Sequence, residues 1–454
     1  MKRIVVVGLG FVGSATAIAI ANSKQKYFVN GLDLKTQNGI KRINCLNDCK
    51  FPFKTNDIKL KKALVKAVQI KKNFISSYDK SVIENADIIM VNVNFDVIAK
   101  KNKKLFDLKP FKLAIKDIAS RVNFKTLTII NSTVPPGCCE KVILPIFETQ
   151  FKKRKLDVKK ILLAHSYERV MPGEKYYDSI INFWRVYSGI NKKSEQICEK
   201  FLKSFINTKK YPLTKLQNTR SSETSKVLEN TYRAVNIALI DEWTKFANEI
   251  NINLHDIIKA IKVRPTHANI MLPGIGVGGY CLTKDPGFAQ IALNKIFKSQ
   301  KKIDFKFAKL SLLVNEKMPK TTIDLISEKI NGKFKNKRFI FFGVSYKNNV
   351  GDTRNSPVYS LCKFIKQKKG IVNYYDPYVS YWEEFDQKSL KIIPNLTKYD
   401  CIIFSVNHTS FNTLNFKKLN LNKKTMIFDI ANVITEKKQK MFKLNNENYI
   451  RLGR

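Results

Sequence analysis

The sequence predicts an α/β protein of two doubly wound domains joined by a long central helix, and three observations carry that prediction. The first and last thirds each alternate β-branched or aromatic runs of strand length with amphipathic stretches of helix length. Between them, from Ser221 to Ile250, apolar residues recur every three or four positions without a break. At 454 residues the chain is too long for one core, and two or three domains are expected.

The first domain, residues 1–212, opens with the β-branched strand Lys2–Val7, followed by Gly8-Leu9-Gly10-Phe11-Val12-Gly13 and an alanine-rich helix over residues 14–22. A second strand, Tyr27–Leu32, ends at Asp33, 20 residues beyond Gly13. A Gly-x-Gly-x-x-Gly set between strand and helix, with an acid at that distance, is the pattern of a Rossmann-like dinucleotide site. Gly8, Gly10, Val12 and Gly13 would hold a pyrophosphate and Asp33 a ribose. Lys35 leaves open a cation for a 2′-phosphate. Further strands over 87–93 and 127–131 flank an amphipathic stretch over 111–122, which implies a parallel sheet.

The middle segment, residues 213–330, is helical. Leu228, Tyr232, Val235, Leu239, Trp243, Phe246 and Ile250 form one face of the long helix, and Glu223, Lys226, Asn230 and Arg233 the opposite one. Ser221-Ser222 are the expected N-cap, and the length suits a domain connector and a subunit interface. The last segment, residues 331–454, repeats the logic of the first, with strands at Arg338–Phe342, at Tyr374-Tyr375 before Asp376, at 400–406 and at 425–430. Ser356-Pro357 reads as an N-cap followed by a proline in the first turn.

Composition bounds the partners. The chain is 44% hydrophobic and 26% charged, with 82 Lys plus Arg against 37 Asp plus Glu. A net charge of +45 favours anionic ligands such as nucleic acid, membrane surfaces or phosphorylated metabolites. The lysines are spread in pairs such as Lys71-Lys72, Lys159-Lys160 and Lys423-Lys424, so they read as solvated faces and no nucleic-acid partner is expected. Eight cysteines without a Cys-x-x-Cys, and four histidines, give no metal pattern and suit a reduced, cytoplasmic protein. The first 21 residues imitate a signal peptide, but the glycines fall where a strand turns into a helix. No other stretch is apolar enough to span a membrane, so no membrane insertion is expected.

The chemistry centres on Pro273-Gly-Ile-Gly-Val-Gly278-Gly-Tyr-Cys281-Leu-Thr-Lys284-Asp285-Pro286. Its glycines let backbone approach a ligand, and a thiol stands beside a cation and a carboxylate. A covalent nucleophile and a small buried thiol both fit that loop taken alone.

Together with Ser132-Thr133-Val-Pro-Pro-Gly137, Glu168-Arg169-Val-Met-Pro-Gly173, Lys226-x-x-x-Asn230 and Lys347 followed by Asp352-Thr-Arg354-Asn-Ser356-Pro357, the sequence resembles the UDP-glucose/GDP-mannose dehydrogenase family over nearly its whole length. The resemblance implies NAD-dependent, four-electron oxidation of the C6 alcohol of a nucleotide sugar to a carboxylate, for surface polysaccharide synthesis. It implies Cys281 as nucleophile, Glu168 with Thr133 for thioester hydrolysis, Lys226 and Asn230 for the oxyanion, and Asp285 in alcohol deprotonation. Thr133, Lys284 and Arg354 join the cofactor set. Glu168, Arg169, Lys226, Asn230, Arg264, Gly278 and Lys347 join the substrate set, and Arg264 would be lent to the neighbouring subunit of a homodimer. Lys284 three residues after the thiol would lower its pKa. A helical dimerisation domain completes the expected fold.

The chain departs from the family at Tyr167, where a proline commonly precedes the Glu-Arg pair, and at Val93-Asn94-Phe95, where Thr-Pro commonly closes the strand. Lys284 is like the UDP-glucose enzymes, whereas Asp285-Pro286 and the Glu168 segment lean toward those acting on UDP-N-acetylhexosamines. Two other readings stay open: a two-electron dehydrogenase of 6-phosphogluconate or 3-hydroxyacyl type, and a non-catalytic binder of polyanions.

Overall fold

The computed structural model describes residues 1–454 except 94, 96, 101–102, 172, 415–423 and 442–447, so Asn94 and Pro172 of the motifs above lie outside the described residues. Contacts divide the chain into two units, Met1–Glu229 with Gly287–Asp304, and Asn230–Pro286 with Phe305–Arg454.

In the first unit the elements run β1 Lys2–Val7, α1 Phe11–Ala21, β2 Tyr27–Leu32, α2 Gln37–Asn47, α3 Ile58–Val65, β3 Phe74–Ser77 and β4 Ile88–Val91. A short antiparallel pair, β5 Val97–Lys100 and β6 Lys103–Phe106, stands apart from the main sheet. The chain continues through α4 Lys109–Ala119, β7 Leu127–Ile130, α5 Leu144–Lys153, β8 Leu162–His165, α6 Tyr176–Ile181, β9 Val186–Gly189, α7 Lys192–Phe205 and β10 Thr214–Lys215. Eight strands form one sheet in the order β10-β9-β8-β7-β4-β1-β2-β3. Only β8 and β9 pair antiparallel. β4, β7 and β8 are buried along their whole length, as strands covered on both faces must be, which is why they read as unbroken apolar runs.

The order reverses between β1 and β4, the position where doubly wound sheets open a crevice at their carboxyl ends. Gly8, Asp33, Asn92, Ser132 and Ser166 are the first residues or close followers of β1, β2, β4, β7 and β8, so the predicted motifs fall at that end.

The long helix, α8, spans Thr219–Glu249, 31 residues. Its cap is Asn218 and not the expected Ser221-Ser222, since Asn218 Oδ1 accepts from Ser221 N at 2.9 Å and from Ser221 Oγ at 3.0 Å. Ser222 is instead buried and bonded to His165 Nδ1 at 2.7 Å and to Ser188 Oγ at 2.6 Å. The periodicity holds. Leu228, Tyr232, Leu239, Trp243, Phe246 and Ile250 are exposed, whereas Glu223, Lys226, Asn230 and Asp241 are buried.

The second unit contains α9 Leu254–Ile261; a short α10, Phe288–Ile291, belongs to the first unit. Then follow α11 Lys306–Lys329, β11 Arg338–Phe342, α12 Val358–Gln367, β12 Ile371–Tyr375, the two-residue strands β13 Tyr381–Trp382 and β14 Gln387–Lys388, β15 Cys401–Phe404, α13 Thr409–Asn412, β16 Met426–Asp429, α14 Glu436–Met441 and β17 Tyr449–Arg451. Five strands pair in parallel in the order β12-β11-β15-β16-β17. Ser356 does not cap α12 as its sequence suggests: the cap is Pro357, and Ser356 Oγ is buried without a partner among the described residues.

Within the first unit, Glu223 is fully buried and accepts from Gly137 N at 2.6 Å and Cys139 N at 2.8 Å. Burial, partly offset by these bonds, pushes its pKa up to about 8. A carboxyl raised on folding binds a proton that the unfolded chain has already lost, so the stability it contributes declines as pH rises from about 4.5 to about 8. Thermal unfolding should therefore show a lower midpoint at pH 8.5 than at pH 6, and Glu223→Gln should flatten that difference. An unchanged slope in the variant would contradict the assignment.

Candidate active site

The first unit supplies a dinucleotide cradle. Gly8 has φ +89°, and a Cβ there would stand 2.8 Å from Asn92 O. A Cβ at Gly13 would stand 1.8 Å from Gly8 O, so α1 packs onto the turn only with glycine at that place. A Cβ at Gly10, by contrast, would meet nothing within 4 Å. α1 begins there with no side-chain cap and no acid in its first turn, Val12 being half-buried just inside it. A helix start that opens into free space is where a pyrophosphate fits. Asp33 Oδ2 lies 2.7 Å from Arg42 Nε, and Asp33 Oδ1 accepts from Leu34 N at 2.8 Å. Arg42 sits nine residues on, in α2, and sequence reasoning missed it. Lys35 turns its ammonium over the Tyr78 ring at 5.0 Å. The cradle fits a dinucleotide, which Gly8, Gly10, Gly13 and Asp33 would hold.

Also in the first unit, Ser132 Oγ donates to Val93 O at 2.6 Å, which fixes the turn ahead of the half-buried Thr133. Glu168 follows β8, and its carboxylate accepts from Val170 N. Lys226 Nζ donates to the main-chain oxygen of Glu168 at 2.8 Å. Arg169 Nε meets Glu229 Oε2 at 2.9 Å, and its Nη1 donates to Trp184 O at 3.1 Å. Tyr167, at the place of the family's proline, is buried beneath this group. Its hydroxyl lies 2.8 Å from Ser225 Oγ and accepts from Arg169 Nη2 at 3.1 Å, while its ring lies 5.2 Å from the Lys226 ammonium. Burial, ahead of these polar neighbours, raises the phenol's pKa, so it stays protonated. Arg185, another residue that the sequence did not single out, is buried on the same side and donates to Asn131 Oδ1 at 3.0 Å.

The second unit presents the thiol. Cys281 is exposed at the end of the glycine loop. Asp285, fully buried, accepts from Asn230 Nδ2 at 2.7 Å and pairs with Lys284 Nζ at 2.8 Å. The Lys284 ammonium is therefore directed at Asp285, and it also covers the Tyr280 ring at 4.6 Å. Asn230 and Lys226, one turn apart on α8, turn to different acceptors and do not converge on one atom. Gly278 is required by contact: a Cβ there would stand 2.4 Å from Tyr346 Cβ. Arg354 forms a bidentate pair with Asp352, Nε to Oδ1 at 2.9 Å and Nη2 to Oδ2 at 2.6 Å. Lys347 is half-buried, and burial followed by repulsion from Arg233 lowers its pKa. Arg264 is exposed ahead of a short turn, Pro265–His267.

Three family models match the chain in order. They are the NAD binding domain of the UDP-glucose/GDP-mannose dehydrogenase family over residues 2–206, its central domain over 220–317 and its UDP binding domain over 340–436. The chain belongs to the UDP-glucose/GDP-mannose dehydrogenase family. As a member of it, the protein is an NAD-dependent UDP-sugar dehydrogenase.

Among similar family members, a UDP-N-acetyl-D-mannosamine dehydrogenase of Methanococcus vannielii is 32% identical over 96% of this chain and 93% of its own. An NDP-N-acetyl-D-galactosaminuronic acid dehydrogenase of Ralstonia solanacearum is 25% identical over 92% of this chain and 93% of its own. The solved UDP-D-ManNAc dehydrogenase of Pyrococcus horikoshii superposes with a TM-score of 0.83 at 27% identity, covering 100% of this chain and 99% of that one.

Tyr167 gives this dehydrogenase its own test. Tyr167→Phe keeps the ring beneath Lys226 and removes the hydroxyl from Arg169 and Ser225. Steady-state kinetics should show turnover falling about tenfold, the worth of one or two lost hydrogen bonds, with the KM for NAD unchanged. Wild-type turnover in the variant would mean that the hydroxyl does not hold this group.

Proposed function

We propose that the enzyme oxidises the C6 hydroxyl of a UDP-N-acetylhexosamine to the carboxylate, with Cys281 retaining the sugar between two oxidations. One observation carries this reading: an exposed thiol stands four residues before a buried carboxylate that Asn230 and Lys284 both hold. The similarity to the Methanococcus UDP-N-acetyl-D-mannosamine dehydrogenase and the Ralstonia NDP-N-acetyl-D-galactosaminuronic acid dehydrogenase favours an N-acetylhexosamine over glucose.

NAD, when bound, supplies the hydride acceptor for both oxidations. Asp285, fixed between an amide and an ammonium, takes part in removing the alcohol proton through a water. The Cys281 thiolate adds to the aldehyde carbon, forming a carbon–sulfur bond as the carbonyl oxygen gains charge, and so keeps a reactive aldehyde from escaping. Asn230 and Lys226, now donating to Asp285 and to the Glu168 main chain, would turn to that oxygen once substrate is bound. The second oxidation leaves a thioester. Water activated by Glu168, with Thr133 beside it, cleaves the carbon–sulfur bond, returning the thiol and releasing the carboxylate. Alcohol, two NAD⁺ and water thus become carboxylate, two NADH and three protons. Arg169 and Gly278 complete the sugar's surroundings, with Arg354 on the cofactor side and Lys347 on the diphosphate of a substrate destined for surface polysaccharide.

The second unit also exposes Tyr232, Leu239, Trp243 and Phe246 of α8, and Phe307, Leu310 and Leu313 of α11. An apolar surface of that extent on a soluble enzyme calls for a cover, and we propose a second copy of this chain, to whose substrate Arg264 would reach.

Purified enzyme given UDP-N-acetylmannosamine should form two NADH per sugar consumed; a ratio of one would contradict the four-electron route. Cys281→Ser should lose turnover while NAD binding, followed by calorimetry, stays as in the wild type, and full activity would remove the thiol from the mechanism. Trp243→Glu should shift the enzyme from dimer to monomer in light scattering, whereas a wild-type mass would locate the interface elsewhere.

A further inference from the structure

The loop that carries Tyr346 and Lys347 leaves the carboxyl end of β11 at Gly343 and is held by a buried pair, Asp376 and His408, that the mechanism above does not use. Asp376 follows β12. Its Oδ2 accepts from Val344 N at 2.8 Å and Ser345 N at 3.3 Å, and its Oδ1 from Tyr378 N at 2.8 Å and Val379 N at 3.1 Å. His408 is fully buried; its Nδ1 accepts from Asn349 N at 2.8 Å, so the ring proton sits on Nε2 and is directed at Asp376 Oδ2, 3.2 Å away. The far end of the loop is closed again by Asn349, whose φ is 59°: its Oδ1 accepts from Thr409 N at 2.9 Å, and its Nδ2 donates to Thr409 Oγ at 2.7 Å. Inside the loop, Ser345 Oγ donates to Lys347 O at 2.8 Å.

The pair therefore pins residues 344–345 and 349 and leaves Tyr346 and Lys347 between two fixed points. Closing the end of a sheet does not require this. An apolar pair would fill the space without the cost of burying a carboxylate and an imidazole, so the polar bonds specify the position of the one loop that receives them. That loop faces two groups that matter to substrate. Arg233 and Lys347 repel each other, and Tyr346 abuts the Gly278-Gly279 approach to Cys281, where a Cβ on Gly279 would stand 2.8 Å from the Tyr346 ring. Two cations held near one another are a preset receptor for a diphosphate.

We infer that Asp376 and His408 are positioning residues for nucleotide binding, clamping the 344–349 loop so that Lys347 is already in place when the UDP moiety arrives. The inference rests on the reading of Lys347 as a diphosphate contact, and the experiment separates the two. UDP and NAD are titrated calorimetrically into the full-length wild type and into His408→Phe, which keeps a ring and removes both bonds. The dissociation constant for UDP and the KM for the UDP-sugar should each rise about tenfold, the effect of one to two lost hydrogen bonds, while NAD affinity and saturated turnover stay within about threefold. His408→Gln, which can still donate to Asp376, should recover part of the loss.

UDP and NAD affinities falling together, or UDP affinity unchanged, would overturn the clamp. Lys347→Ala should weaken UDP by itself; if it does not, the diphosphate reading has failed and not the clamp. Should His408→Phe not fold, Thr409→Val loosens the same loop from its surface end and should raise the UDP dissociation constant about threefold. No change in that variant would count against the inference.

Discussion

The buried polar face of α8 is the constraint on which the rest of this enzyme depends. Glu223, Lys226, Asn230 and Asp241 go inside, beside the buried Val227, Ile240 and Ala247 of the same helix. Burying four such groups costs several kcal/mol unless each is satisfied. Each is. Glu223 takes two backbone N–H groups, Lys226 a main-chain oxygen, Asn230 the Asp285 carboxylate, and Asp241 bonds Lys245 Nζ at 2.6 Å and Thr321 Oγ at 3.3 Å. Polar pairing thus joins the packing of Val227, Ile240 and Ala247 in fixing its register, and the same pairing delivers Lys226 to the Glu168 strand end and Asn230 to the Cys281 loop.

The two sheets place chemistry by the same rule. Parallel strands buried on both faces end at their carboxyl edge in turns, and these turns carry glycines, acids and hydroxyls at the end where such folds open a crevice. In the first sheet these are the Gly8 turn, Asp33, Thr133 and Glu168. In the second they are the Tyr346 loop and Asp376, the latter standing where Asp33 stands in the first but turned inward to hold backbone. Repetition of one architecture has thus given the corresponding acid different partners, Arg42 and Leu34 N for Asp33 in one domain and the backbone of a loop for Asp376 in the other.

What was legible in the sequence follows from the range of the interaction involved. β1, β2 and β11 were read to the residue because apolar runs bounded by glycine or an acid are local signals. The long helix was read from its period, which shows that two faces differ; which one is covered within a single chain depends on what the rest of the fold offers. Capping was misread twice, at Asn218 and Pro357, since several residues near a helix start can serve and tertiary contacts choose among them. Arg42 and His408 gave no sign of their roles because their partners lie 9 and 32 residues away in the chain, and Tyr167 was marked only as a departure from the family. Lys284, read in the sequence for its place three residues after the thiol, also pairs with the Asp285 carboxylate next door.

The central claim is that the sugar becomes covalently attached to Cys281 between the two oxidations. Slowing hydrolysis should expose that attachment. Glu168→Gln enzyme, mixed with UDP-N-acetylmannosamine and excess NAD, quenched in acid and digested, should yield the Cys281 peptide heavier by the oxidised nucleotide sugar, in proportion to an initial burst of NADH. An NADH burst of the same size with that peptide unmodified would contradict the account.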